Sequence, residues 1–462
     1  MPEPAQILRD AYDQVRRDYG AAIGQRRAEL VTPALVLDLG AVQRNIDHMA
    51  SELKQIGAAV IRPHYKAHKN PDIARRQLAA GAGGLSMATV WEAVVLAAAG
   101  FDDLFVVNTV AHPAKLRALA ELARDHRILV AVDEADNAAD LSAAATAAGS
   151  TLGVMIEVDT GMDRCGVDSA ADCVALARQL TGLPGLRLEG ITGYEGHCSL
   201  TPDNDLRHER QQLAMTFFTG VAALLEADGI PCPIRSAGGI ATWNWTAAFP
   251  GITEIQAGTY VVMDNFHGVM VPDFEHSLTI QATVISRQSG KVIVDAGNKS
   301  VADPADVTIE GHDLPVFRFD EEHGIFDAAG GSPLQVGDPV ALVPGFEHSL
   351  TIQATVISRQ SGKVIVDAGN KSVADPADVT ITGHDLPVVR FDEEHGIFDA
   401  AGGSPLRVGD PVSLVPGYSP STVNWYDAYH VVEDGVVVDI WPVIPRGPGH
   451  HGLAPAGWPD HR

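Results

Sequence analysis

From residue 58 to residue 258, short apolar runs alternate with alanine-rich stretches of helical period, and this alternation constrains the fold more than any other feature. A strand followed by a crossover helix returns parallel to its predecessor, so a series of such units builds a parallel sheet with helices outside. The pattern predicts eight strands, at 60–62, 84–86, 104–108, 128–133, 152–159, 188–194, 234–236 and 254–256. Eight units in about 200 residues fit a (β/α)8 TIM barrel better than an open doubly wound sheet.

Beyond residue 274 the texture changes to strand-like alternation broken by Gly, Pro and Asp turns, which reads as a C-terminal antiparallel β-domain. The early run 34–38 precedes the barrel and is predicted to join that β-domain as a donated strand. The fold class is therefore α/β plus β. Residues 274–345 recur as 346–417 with four differences, Glu310/Thr382, Phe317/Val389, Gln335/Arg407 and Ala341/Ser413. Two copies of a 72-residue unit are a tandem duplication, not a solenoid, which needs at least three shorter repeats to bury its core. The organisation follows as an N-terminal helical extension (1–31), a barrel (32–273, with strand 33–38 joining the β-domain), repeat copies at 274–345 and 346–417, and a β-domain tail (418–462). One copy is expected to fill the β-domain position and the other to form an extra lobe.

With 46% apolar residues the chain has enough for a large core, and 59 Asp and Glu against 33 Lys and Arg argue against nucleic acid or an anionic membrane as partner. Cys165, Cys173, Cys198 and Cys232 form no C-x-x-C pair and read as reduced thiols. Residues 1–30 lack the apolar run of a signal peptide, and no segment reaches about 18 uninterrupted apolar residues. A soluble, cytoplasmic protein is expected.

In such a barrel the carboxyl ends of the strands converge on one mouth. The stretch Arg62-Pro63-His64-Tyr65-Lys66-Ala67-His68-Lys69 puts Lys66 just past the first barrel strand, among cations that would lower its pKa and ready its amine for a Schiff base. Arg164 follows the fifth strand in a Gly-bracketed loop, and Tyr194 and His197 follow the sixth. Ser236, Gly238, Gly239 and Ile240 follow the seventh, and Gly258 and Tyr260 the eighth. Glycines there let backbone N–H groups approach an anion, and the helix starting near Ile240 adds its positive end. Singly, Arg164 reads as a surface ion-pair partner and His197 as a satisfied histidine. Together, a phosphate site and a Schiff-base lysine across one mouth suggest pyridoxal 5'-phosphate.

The motifs Arg62-Pro63-His64-x-Lys66-x-His68-Lys69, Thr160-Gly161-x-x-Arg164-Cys165-Gly166-Val167, Gly193-Tyr194-Glu195-Gly196-His197 and Glu254-Ile255-Gln256-Ala257-Gly258-x-Tyr260-x-x-Met263-Asp264 carry a resemblance. They resemble the D-threonine aldolase and D-serine dehydratase group of fold-type III pyridoxal phosphate enzymes, relatives of alanine racemase. The resemblance implies that Lys66 forms the internal aldimine, with His64 beside it in the motif, and that Arg164 contacts the cofactor ring or its phenolate. It also implies that Tyr194 packs near the cofactor, and that Ser236, Gly238, Gly239 and Tyr260, with Ile240 and Gly258 in the same loops, surround the phosphate. A homodimer, with each site completed by the partner's β-domain, is implied too.

One departure stands out. The group's aldolases and dehydratases hold a divalent metal through His-x-Asp or His-x-Cys before a Thr-Val-Asn segment, whereas here Tyr418 and Pro420 stand at those positions before Thr422-Val423-Asn424. Proline has no side-chain donor, so the sequence argues against a metal. Another acid or base must then serve, and His197 is favoured over Tyr418. Glu321-Glu322-His323 and its copy Glu393-Glu394-His395 receive no role. The resulting expectation is a pyridoxal phosphate lyase on a small D-β-hydroxy amino acid, cleaving it to glycine and an aldehyde. D-Serine-type dehydration, amino-acid racemisation and a non-catalytic cofactor-binding protein are the alternatives.

Overall fold

The computed structural model describes residues 4–57, 59–288, 423 and 426–444, together with the backbone of short strands between 291 and 415. After helix α1 (Pro4–Tyr19) come β1 (Ala34–Asp38) and α2 (Leu39–Ile56). The barrel strands are β2 (Val60–Ile61), β3 (Leu85–Met87), β4 (Asp103–Thr109), β5 (Arg127–Val132), β6 (Leu152–Val158), β7 (Leu186–Gly193), β8 (Ile234–Ala237) and β9 (Glu254–Ile255). All eight predicted strands are present. They pair in parallel in the order β2-β9-β8-β7-β6-β5-β4-β3. The ring closes where Gly83 N donates to Ile61 O (2.9 Å), Ser86 N donates to Pro63 O (3.0 Å) and His64 bridges Ser86.

Between strands run α3 (Pro71–Ala79), α4 (Val90–Ala98), α5 (Pro113–Leu122), α6 (Ala135–Ala148), α7 (Ala170–Leu180), α8 (Asn204–Ala227) and α9 (Trp243–Ala248), with α10 (Asn265–Gly268) after β9. Local chemistry sets their ends. Asp38 caps α2, and Gly57 at φ 72° stops it in a conformation glycine adopts without strain; Thr89 and Glu92 form a capping box on α4. Phe105, Leu129, Ala131 and Met155 fill the inside of the barrel. Its floor is ionic: the buried Arg62 guanidinium holds both oxygens of Glu254 (2.9 and 2.8 Å) and one of Asp103 (2.6 Å), which also pairs with Arg127. Among the described residues no helix is long and apolar enough to cross a membrane.

The strands of the β-region are β10 (Leu278–Gln288), β11 (Lys291–Val294), β12 (Thr308–Ile309), β13 (Gly324–Asp327), β14 (Pro339–Val343), β15 (Ile352–Gln360), β16 (Lys363–Val366), β17 (Thr380–Ile381), β18 (Gly396–Asp399), β19 (Pro411–Val415), β20 (Ala428–Glu433) and β21 (Val436–Pro442). β1 joins them as expected, antiparallel to β10 and parallel to β20. The duplication is resolved differently from the expectation of one whole copy in place. β10, β11 and β12 of the first copy pair with β18 and β19 of the second, in the sheet that contains β1, β20 and β21. β13 and β14 of the first copy pair with β15, β16 and β17 of the second in a separate five-stranded sheet. The registers are equivalent: Thr283↔Pro411 in one unit is Thr355↔Pro339 in the other, each 72 residues displaced. The copies exchange halves, and the second unit is a circular permutant nested inside the first.

The β-domain also grips the lysine turn. Tyr65 Oη donates to Ile444 O (2.7 Å), Ile444 N to Lys69 O (2.9 Å), Asn70 Nδ2 to Pro442 O (3.1 Å) and Tyr429 Oη to His68 O.

Candidate active site

The carboxyl ends of the barrel strands surround a cavity of about 830 Å³, counting its open mouth. Of the residues singled out from sequence, Lys66, His64, Arg164, Tyr194, Gly238, Gly239, Ile240 and Gly258 line it. Lys66 sits in a single 3-10 turn, Tyr65–Ala67, where His64 Nδ1 accepts from its backbone N–H (3.3 Å).

The cationic crowd expected around Lys66 is absent, because each neighbouring cation is engaged elsewhere. Arg62 is neutralised on the barrel floor. Buried Lys69 pairs with buried Glu92 at 3.5 Å. Burial pushes His68 down to about 3, so it is neutral, and its Nε2 meets Gln77 Oε1 at 3.2 Å. Tyr260 belongs to the same buried chain: Gln77 Nε2 donates to its hydroxyl at 3.0 Å, and Tyr260 does not line the cavity. Ser236 is fully buried one layer below, accepting at 3.0 Å from Gln256 Nε2, which also donates to Thr192 Oγ1. Gln256 and Thr192 line the cavity in its place.

The Arg164 loop is shaped by Asp159, whose Oδ1 accepts from the N–H groups of Gly161, Met162 and Asp163. Arg164 lies 5.9 Å over the Tyr194 ring and 3.8 Å from Glu157 Oε1. Glu157 was missed from sequence. It lines the cavity, and burial pushes its carboxyl up to about 8 despite the opposing pull of Arg164; Oε2 has no hydrogen-bond partner among the described residues. Period two along β6 could have found it, since Glu157 shares the inward face with Met155.

Glu195, in the sixth-strand motif, is also buried and holds the glycine loop. Its oxygens accept from Gly238 N (3.2 Å), Thr242 Oγ1 (2.7 Å) and Thr246 Oγ1 (2.7 Å). The loop has no room for side chains: a Cβ on Gly239 would lie 2.8 Å from the Tyr194 ring, and one on Gly258 2.7 Å from His64 O. Such a cradle, with N–H groups beside the short helix at Ile240–Thr242, suits an anionic group in the cavity that Lys66 also lines, two strands away on the rim.

His197 lies behind the Arg164 loop, not on the cavity wall; a Cβ on Gly161 would meet its Cε1 at 3.2 Å. It is half-buried, burial lowers its pKa, and its Nδ1 has no partner among the described residues. Asn108 and His267, also missed from sequence, line the cavity. Tyr418, Pro420 and the two Glu-Glu-His segments lie outside the described residues.

Comparison with known proteins adds three kinds of likeness. The family "Alanine racemase, N-terminal domain" matches residues 37–265, and a serine dehydratase domain family matches twice, at 277–347 and 349–432. A D-threonine aldolase of Arthrobacter sp. is 35% identical over 429 residues, 92% of this chain and 95% of that protein. A D-threo-3-hydroxyaspartate dehydratase of Delftia sp. is 32% identical over 330 residues, covering 66% of this chain and 85% of that protein. The crystal structure of a D-threonine aldolase from Filomicrobium marinum superposes with a TM-score of 0.68 at 30% identity, covering 91% of this chain and 97% of that one.

Proposed function

Because the chain belongs to the D-threonine aldolase and D-serine dehydratase family of alanine racemase-like enzymes, we propose that it is a pyridoxal phosphate lyase that cleaves D-β-hydroxy amino acids to glycine and an aldehyde. One observation carries this reading: Lys66, Arg164 and the Gly238–Gly239 cradle face a single cavity at the mouth of a parallel barrel.

The residues fit the cofactor. Lys66 would hold it through its amine, the loop from Gly238 to Ile240 its phosphate, and Arg164, Tyr194 and Gln256 the ring. When bound, it supplies an electron sink for a bond at Cα. The chain's task is to orient that bond, exclude water and accept the β-hydroxyl proton. His197, neutral through burial, stands behind the Arg164 loop and not on the cavity wall. Tyr418 and Pro420 at the family's ligand positions support a reaction without a divalent metal, and assembly as a homodimer belongs to the same proposal.

Borohydride reduction followed by peptide mapping should find the cofactor on Lys66, and absorbance at about 420 nm should be absent from Lys66→Ala. A D-amino acid panel then assigns the reaction. Aldehyde release supports the aldolase. Ammonia with a keto acid supports dehydration, which the similarity to the Delftia enzyme keeps in view. Appearance of the opposite enantiomer would mean a racemase. Activity that a chelator abolishes and manganese or zinc restores would overturn metal independence. An adduct at another amine would sink the whole reading.

A further inference from the structure

We infer that His267, held by Asp264, is the residue that takes the β-hydroxyl proton, an inference that rests on the lyase reading above. His267 lines the same cavity as Lys66, whereas His197 stands behind the Arg164 loop. Both members of the pair are buried, His267 at 5% exposure and Asp264 at 0%. A single oxygen, Asp264 Oδ1, accepts from the His267 backbone N–H (2.9 Å) and meets Nδ1 at 2.7 Å. The aspartate thus fixes the start of α10 and the orientation of the ring together, and the Phe266 ring packs edge-on at 5.0 Å.

A carboxylate at Nδ1 keeps the ring proton on that nitrogen, so proton exchange with the cavity passes through Nε2. In the step assigned to it, Nε2 takes the proton of the substrate's β-hydroxyl. The O–H pair becomes the second bond of the aldehyde carbonyl, the Cα–Cβ bond breaks, and its pair passes to Cα. Return of the proton to Cα completes glycine, so protons and electrons balance without another reactant. Asp264 acts through His267 and is a positioning residue.

The test uses the holoenzyme with D-threonine. His267→Gln should retain the 420 nm absorbance and lose roughly 10²–10⁴-fold in kcat, the usual size of a general-base contribution, while His197→Gln loses less than about 10-fold. In the cofactor-free protein, histidine ¹⁵N shifts should show His267 protonated at Nδ1, and Asp264→Asn should abolish that preference and lower kcat. The reverse ranking of the two histidines would overturn the inference. If His267→Gln cannot hold the cofactor, Asp264→Asn decides: unchanged kcat with an altered tautomer counts against the role. Failure of the lyase reading shows itself separately, as no Lys66 adduct in the unaltered enzyme.

Discussion

Glu195→Gln probes the support of the glycine loop with almost no change in shape. The native carboxylate offers Oε1 to two threonine hydroxyls and Oε2 to the Gly238 N–H, at 1% exposure. A carboxamide has one acceptor oxygen and one donor group. With its oxygen toward the threonines, the amide NH₂ confronts the Gly238 N–H, donor against donor. Turned over, the NH₂ faces Thr242 and Thr246, and Thr246 Oγ1 already accepts from Gln211 Nε2 at 3.1 Å. Either way one buried donor loses its acceptor, which costs about 1–3 kcal/mol. Because the loop is the proposed phosphate cradle, that loss should weaken cofactor affinity by roughly 5- to 150-fold at about 1.4 kcal/mol per decade. Titrating the cofactor-free protein with pyridoxal phosphate, followed at about 420 nm, measures the affinity, and thermal melts measure the stability. An unchanged affinity together with an unchanged Tm would refute the reasoning.

Two further outcomes follow from the fold. Glu157 has a folded pKa of about 8, above roughly 4.3 when unfolded, so its neutral form stabilises the protein at low pH and that contribution is lost as pH rises through this window. Glu157→Gln, neutral throughout, should therefore gain in Tm relative to the unaltered cofactor-free protein from about pH 5 to pH 8, and parallel melting curves would exclude the effect. Deleting residues 310–381 leaves Thr382 where Glu310 stood and removes the nested unit; the Tm of the rest and the 420 nm absorbance should be preserved, and loss of either would show that the nested unit supports the site.

The barrel was legible because every strand is short, apolar and bounded by turn residues, and the motif glycines and Lys66 sit at strand ends that any closed barrel brings together. What stayed hidden was pairing over distance. Arg62 looks like a cation beside Lys66 until Glu254, 192 residues away, captures it. The hydroxyl of Tyr260 accepts from Gln77, 183 residues away, a link that only the fold reveals. Glu157 and His267 carry no motif of their own; one is a charged residue on a buried strand, the other needs Asp264 folded beside it before it means anything.

The exchange of halves was beyond the sequence for a different reason: both copies present the same strands and registers, so contacts alone barely distinguish the arrangements. The tethers do. β10 leaves the barrel directly and pairs with β1, while β19 leads toward β20, which flanks β1 on its other side. A unit built at that place from β10 and β19 satisfies both covalent attachments at once. A whole copy one would put the extra module between β14 and β20, whereas here it is looped out between β12 and β18. Loop length itself decides little, since closure entropy grows by only about 0.6 kcal/mol per doubling. The first half of copy one and the second half of copy two are therefore held where a single unduplicated domain would be, and the remaining halves, closed on each other in the same registers, need no place against β1 at all.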